Sequence, residues 1–197
     1  GTINLLNAAA DAKIKCFVFS SSAAVYEEPE YLPLDEAHPT KPLNFYGYTK
    51  LEIENLLGWY SKLKGIRFAN LRYFNAAGYD IDGKINELER EPNNLIPIVL
   101  ETINGKLKEV VVFGSDYDTA DGSCIHDYIH VNDLAEAHLS ALGYLESQNH
   151  KDLVVNLGTS KGLSVLEVLS IVREVSGTEF KYILGPRRAG DQAVVAG

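Results

Sequence analysis

The 197-residue chain has no methionine, one tryptophan and two cysteines, and no apolar run in it approaches the roughly 18 residues a membrane span needs. Low-complexity tracts and heptad repeats are also absent, which excludes a disordered chain or a coiled coil. With only Cys16 and Cys124, each inside an apolar segment, a disulfide-stapled miniprotein is excluded. The two thiols read as buried, reduced groups of a cytoplasmic protein. Positive charge is scarce: 18 Lys and Arg stand against 27 Asp and Glu, a formal net charge of -9 that disfavours general binding to nucleic acid or to an anionic membrane. Position 1 is glycine, and no charged-then-apolar signal segment precedes the first helical pattern, so the chain is expected to be a piece of a longer protein.

What is present is globular: 46% apolar and 23% charged residues, on a length that buries about 70% of its unfolded surface. Ile3, Leu5, Leu6 and Ala8 to Ala10 predict an amphipathic helix. Cys16-Phe17-Val18-Phe19 then has the continuous apolar character of a strand buried on both faces, stopping at Ser20-Ser21-Ser22. Pro29, Pro33, Pro39 and Pro42 mark a loop that no helix crosses, ending at Asn44, a predicted N-cap for a helix over 45–64. With a strand over 66–74 this makes a βαβ unit, hence a parallel sheet with helices on its faces. From Gly78 to about Pro92 the composition turns polar, which marks a second segment: residues 1–77 and 78–197, with 124–145 packing back on the first. That segment reads as a helix over 95–103, a strand over 110–113, an acidic loop over 116–122 and a strand over 124–131. A helix capped by Asn132 or Asp133 follows, then a strand over 153–157, a capping box from Ser164 to Glu167 and a strand over 182–184. The fold class is α/β: a Rossmann-like parallel sheet flanked by helices, with a smaller mixed α/β lobe.

Tyr46 and Lys50 lie four apart on the predicted helix and share a face. A cation near a phenol favours the phenolate, which suits a general base. Eleven tyrosines and twelve lysines give roughly 0.7 such pairs by chance, and a second stands at Tyr60 and Lys64, so position must decide. In open parallel sheets ligands bind off the carboxyl ends of the strands. Ser20 to Ser22 and Asn75 occupy those ends, and Tyr46 opens the helix that returns over them, whereas Tyr60 lies at the helix's far end. A serine hydroxyl, a phenol and an ammonium converging there can take a proton from a substrate alcohol as hydride leaves its carbon.

The segments Phe19-Ser20-Ser21-Ser22-Ala23-Ala24-Val25-Tyr26, Tyr46-Gly47-Tyr48-Thr49-Lys50, Leu71-Arg72-Tyr73-Phe74-Asn75-Ala76-Ala77-Gly78, Asn93-Asn94-Leu95-Ile96-Pro97, Asp127-Tyr128-Ile129-His130-Val131 and Arg187-Arg188-Ala189-Gly190-Asp191 together resemble the UDP-glucose 4-epimerases of the extended short-chain dehydrogenase/reductase superfamily. The resemblance implies NAD as cofactor, a UDP-sugar substrate and a homodimer joined through the first helix and the helix over 45–64. The Gly-rich βαβ unit that would hold the cofactor's pyrophosphate is not in this sequence. By resemblance Tyr46 is the base on the sugar 4-hydroxyl. Lys50 assists it and bonds the nicotinamide ribose, Ser22 bonds the reacting oxygen, and Tyr73 and Phe74 lie by the nicotinamide. Asn75, Asn93, Asn94, Leu95 and Phe113 would hold the sugar nucleotide, Arg188 its diphosphate and Asp191 its ribose. Val195 falls at the family's gate beside the sugar, where a small residue admits N-acetylated sugars. Where the family usually has a diphosphate-binding arginine this chain has His126, so either His126 substitutes for it or Arg187 and Arg188 carry the diphosphate alone.

The related 4,6-dehydratases and decarboxylases place acidic residues where this chain has Ala23 and Ala24, which favours the epimerase over them. A non-catalytic dinucleotide sensor would lack Tyr46 or Lys50, and both are present. Elsewhere Asp80, Asp82 and Gly83 hint at a calcium loop, but Lys84 stands where an oxygen ligand belongs. His126 and His130 share a strand face without a third zinc ligand. Asp116, Asp118 and Asp121 read as a solvated face, and no Gly-x-Ser-x-Gly elbow is present.

Overall fold

The computed structural model describes residues 1–85, 92–147, 151–188 and 192–197. Its central sheet is parallel, in the order β1 (Cys16–Ser22), β2 (Arg67–Tyr73) and β6 (Leu153–Leu157). Cys16 pairs with Arg67 and Ser22 with Tyr73. Strand alternation sends Phe17, Phe19, Phe68 and Val154 to one face, where Leu6 of α1 (Thr2–Asp11) and Leu57 of α2 (Phe45–Lys64) complete a core. Val18, Ala69, Leu71 and Val155 pack on the other face against Ala141 and Leu145 of α4 (Val131–Glu146). The chain is therefore α/β, with a parallel sheet covered by helices on both faces.

The ends of α2 agree with local chemistry. Asn44 caps it by accepting a hydrogen bond from the Gly47 N–H at 2.8 Å, and Gly65 ends it in the left-handed region at φ 69°. The capping box of α5 (Val165–Ser176) is present as read, Ser164 accepting from the Glu167 N–H and Glu167 from the Ser164 N–H.

β1 does not stop at the serines. It runs to Ser22, because each of the first two hydroxyls finds a partner inside the packed layers: Ser20 Oγ bonds His138 Nε2 of α4 at 2.9 Å, and Ser21 Oγ donates to Glu54 of α2. The cap of α4 is His130 rather than Asn132 or Asp133. His130 ends β5 (Ile125–His130), and its Nδ1 accepts from the Asn132 N–H at 3.1 Å.

The strand over 153–157, which the sequence reading assigns to the second segment, is hydrogen-bonded into the first sheet beside β2. Three short strands escaped the periodicity argument, being too short to show a period. They are β3 (Asn75–Ala77), which pairs in parallel with β5, β7 (Gly162–Ser164), which runs antiparallel to β5, and β9 (Val194–Val195), which lies along β5. A smaller lobe forms around parallel β4 (Val110–Phe113) and β8 (Tyr182–Gly185), where Val110 and Val112 pack on Val99 of α3 (Leu95–Ile103) and Leu169 of α5.

Asp116, Asp118 and Asp121 are all exposed, as the reading of a solvated face expects. Asp116 pairs with Arg187 at 2.7 Å. Asp121 accepts from the backbone and hydroxyl of Ser123 and from the hydroxyl of Ser164, and although partial desolvation works against the charge, these bonds hold its carboxyl below the usual carboxylate range. Asp80 spends its carboxylate on the N–H groups of Asp82, Lys84 and Ile85, a turn rather than a cation loop. Residues 86–91, which hold Glu87, Glu89 and Glu91 of the polar segment, lie outside the described residues. Among the described residues no group of three metal-ligating side chains forms, and no helix is long and apolar enough to cross a membrane.

Candidate functional site

Two clefts meet at the carboxyl ends of the central strands. One, of about 300 Å³, is lined by Ser22, Ala24, Tyr46, Tyr73, Phe74 and Val195. The other, of about 150 Å³, is lined by Asn93, Asn94, Leu95, Phe113 and Tyr128. Asn75, His126 and Arg188 line both, so the two form one groove that runs from the central sheet to the smaller lobe. The fold thus brings together every candidate named from the sequence except Lys50, Arg187 and Asp191. Lys50 lines neither cleft, and Asp191 lies outside the described residues.

Tyr46 sits in the first turn of α2 and is half exposed, its ring open to the groove. Lys50, one turn on, donates from Nζ to the Ser20 carbonyl at 2.9 Å and stands 5.4 Å from the centre of the Tyr46 ring and 5.1 Å from that of Phe19. The ammonium is therefore held between the strand end and the phenol. The competing pair points elsewhere: the Tyr60 hydroxyl donates to Asn7 of α1 at 2.6 Å, away from the serines. Ser22 caps a short 3₁₀ turn (Ala23–Val25), its Oγ accepting from the Ala24 N–H at 3.2 Å. Of the three serines only Ser22 lines the groove, because alternation turns Ser21 under α2 and ties Ser20 to α4.

In the smaller lobe Asn94 occupies the N-cap of α3 without bonding the helix through its side chain, which leaves the amide to face the cleft. The Arg188 guanidinium lies 4.7 Å over the Phe113 ring. Arg187 is committed differently, with Nε and Nη2 on the side chain and carbonyl of Asp116 and its guanidinium 4.1 Å over Tyr117. Of the two arginines, Arg188 lines both clefts, as His126 does, and Arg187 lines neither. The sequence reading missed Tyr128, whose phenol is pushed up to about 12, chiefly by burial, and so stays a hydrogen-bond donor at any working pH. Its place beside His126 on a strand that ends at the groove was the available signal.

Beneath the groove lies a buried polar network. Arg72 on β2 forms a bidentate pair with Glu54 at 3.0 and 2.6 Å and donates to the Tyr26 hydroxyl at 3.1 Å, and Tyr26 donates to Asn156 at 2.6 Å. Burial works against the Arg72 charge, but the bond and charge of Glu54 outweigh it and raise the guanidinium's pKa. Burial raises the Tyr26 phenol despite Arg72.

The family model for the NAD dependent epimerase/dehydratase family matches residues 1–158. The chain belongs to that family. It is 46% identical over 193 residues to a UDP-glucose 4-epimerase of Halalkalibacterium halodurans, covering 98% of this chain and 58% of that protein. A solved structure of the Bifidobacterium longum UDP-glucose 4-epimerase in complex with NAD+ and UDP superposes with a TM-score of 0.92 at 39% identity, over 99% of this chain and 58% of the other. The UDP-Glc/GlcNAc 4-epimerase of Campylobacter jejuni gives a TM-score of 0.78 at 40% identity, over 99% and 59%. The chain spans about three-fifths of the length of these family members.

A Cβ on Gly47 would lie 1.9 Å from the Ala24 carbonyl oxygen, so only glycine lets the first turn of α2 close on the turn after Ser22. Gly47→Ala is expected to destabilise the fold by about 1–3 kcal/mol, whereas Gly58→Ala, on the same helix and facing open space, stabilises it by about 0.5–1 kcal/mol. Urea unfolding of the two variants checks both signs.

Proposed function

We propose that the full-length protein is an NAD-dependent isomerase that interconverts UDP-glucose and UDP-galactose by inverting the sugar's 4-position through a 4-keto intermediate. The observation that carries this is the placement of Tyr46, Ser22 and Asn75 on one groove with Asn94, Phe113 and Arg188 at its other end. A phenol and a hydroxyl suit the reacting alcohol, amides and an aromatic suit a uridine, and a guanidinium suits a diphosphate.

The residues present fit the nicotinamide end of a dinucleotide, because Tyr73 and Phe74 wall the groove beside Tyr46 and Ser22. Lys50 would bond the adjoining ribose. When bound, NAD supplies a hydride acceptor that returns the hydride. Tyr46 takes the proton of the 4-hydroxyl and gives it back, Ser22 donates to the same oxygen, and Lys50 stands one turn along the helix, 5.4 Å from the centre of the phenol ring. Asn75, Asn93, Asn94, Leu95 and Phe113 hold the sugar nucleotide, Arg188 and His126 face its diphosphate, and Asp191 takes its ribose. Ala23 and Ala24 put no carboxyl group on the groove wall, which supports epimerisation over elimination of water.

The same reading carries a homodimer joined through α1 and α2, supported by the exposed Leu5, Trp59 and Leu63 on those helices. It also carries a cytoplasmic location, supported by two free cysteines, and no role for nucleic acid.

Tyr46→Phe in the full-length protein is expected to lower turnover by about two to four orders of magnitude while UDP binding holds, since only proton transfer is lost. Tyr60→Phe leaves turnover almost unchanged. Equal losses at the two positions would assign the base to neither. Sugar scope follows from Val195, which lines the groove with Tyr46 and Ser22. The wild type is expected to convert UDP-N-acetylglucosamine, and Val195→Tyr to abolish that conversion while sparing UDP-galactose. Steady-state assays on both sugars decide, and a wild type restricted to the non-acetylated pair would refute the gate.

A further inference from the structure

Tyr46, Lys50 and Glu54 recur every four residues along α2 and all lie at the end of β1. Tyr46 opens to the groove, Lys50 holds the Ser20 carbonyl, and Glu54 receives the Ser21 hydroxyl at 2.5 Å. Glu54 does not line the groove and is only 7% exposed. Its other contacts lead back to the site by a second route: both carboxylate oxygens hold Arg72, which donates to Tyr26, a groove-lining residue. Arg72 is also the register partner of Ser21, and Tyr73 that of Ser22. One carboxylate thus ties together the helix that carries the phenol, the strand that carries the serine and the strand that carries Tyr73.

We infer that Glu54 is a positioning residue that sets the distance between Tyr46 and Ser22 through Ser21 and Arg72. A pair of charges removed from water gains little net stability over well-packed apolar groups, whereas its bidentate geometry fixes how two elements sit relative to each other. A role in stability alone would be served as well by apolar packing between α2 and the sheet, of which Leu57 and Phe68 already supply a core. Reaction geometry is more demanding, since a misplacement of about 1 Å costs on the order of 100-fold in rate.

This inference rests on the epimerase reading, and its test separates the two. In the full-length protein Glu54→Gln is expected to lower kcat roughly 100-fold while KM and the calorimetric Kd for UDP stay within about threefold. The double variant Glu54→Leu/Arg72→Met, which removes both charges, is expected to regain the melting temperature of the wild type but not its kcat. Crystal structures of wild type and Glu54→Gln are expected to differ by about 1 Å in the separation of Tyr46 Oη from Ser22 Oγ. A kcat that recovers with the melting temperature in the double variant, a loss that appears in KM, or an unchanged separation would each overturn the assignment. If the wild type converted no UDP-sugar, the epimerase reading would fall, while the separation would still decide whether Glu54 positions these groups.

Discussion

The attachment of α2 to the end of β1 is the constraint on which the groove depends. Lys50 reaches the Ser20 carbonyl and Glu54 the Ser21 hydroxyl, so the helix is held at two successive residues of the strand. Gly47 lets the same helix press on the turn after Ser22. With these contacts in place Tyr46 faces the groove beside Ser22. On the opposite face of the sheet His138 of α4 takes the Ser20 hydroxyl, so the strand end is held from both sides. Each of the three adjacent serines has a different partner, and strand alternation is the reason.

The groove also gives an acidic protein a local cation. A net charge of -9 repels phosphate at long range, but a site needs only a local cation shielded from the rest of the surface. Arg188 supplies a guanidinium and His126 an imidazole where the two clefts meet. Arg187 is neutralised by Asp116, and the pair clasps the end of β4 to the end of β8. Two neighbouring arginines therefore divide into one that holds the lobe together and one that faces the groove.

Much of this was readable in the sequence where one local rule dominated. α2 was placed from Asn44 and the prolines before it, and α3, β4 and β6 from their apolar patterns. The short strands β3, β7 and β9 were not readable, because three residues or fewer carry no period and their pairing with β5 is a tertiary fact. The continuation of β1 through Ser20 to Ser22 was hidden for a related reason: polar residues end an apolar run unless buried partners exist, and Glu54 and His138 lie far away in sequence. His130 was passed over as a cap because an imidazole nitrogen accepts that bond less often than the usual side-chain oxygens. The groove candidates came from short motifs and a family likeness, whereas the Glu54–Arg72 network appears only once the strands are assembled.

The most direct test of the central claim is to incubate the full-length protein with UDP-galactose, and separately with UDP-glucose, and follow both sugars to equilibrium. The same final mixture is expected from either side with no net reduction of NAD, since the hydride removed from the sugar is returned to it. A protein that binds UDP and NAD but leaves both sugars unchanged would contradict the claim.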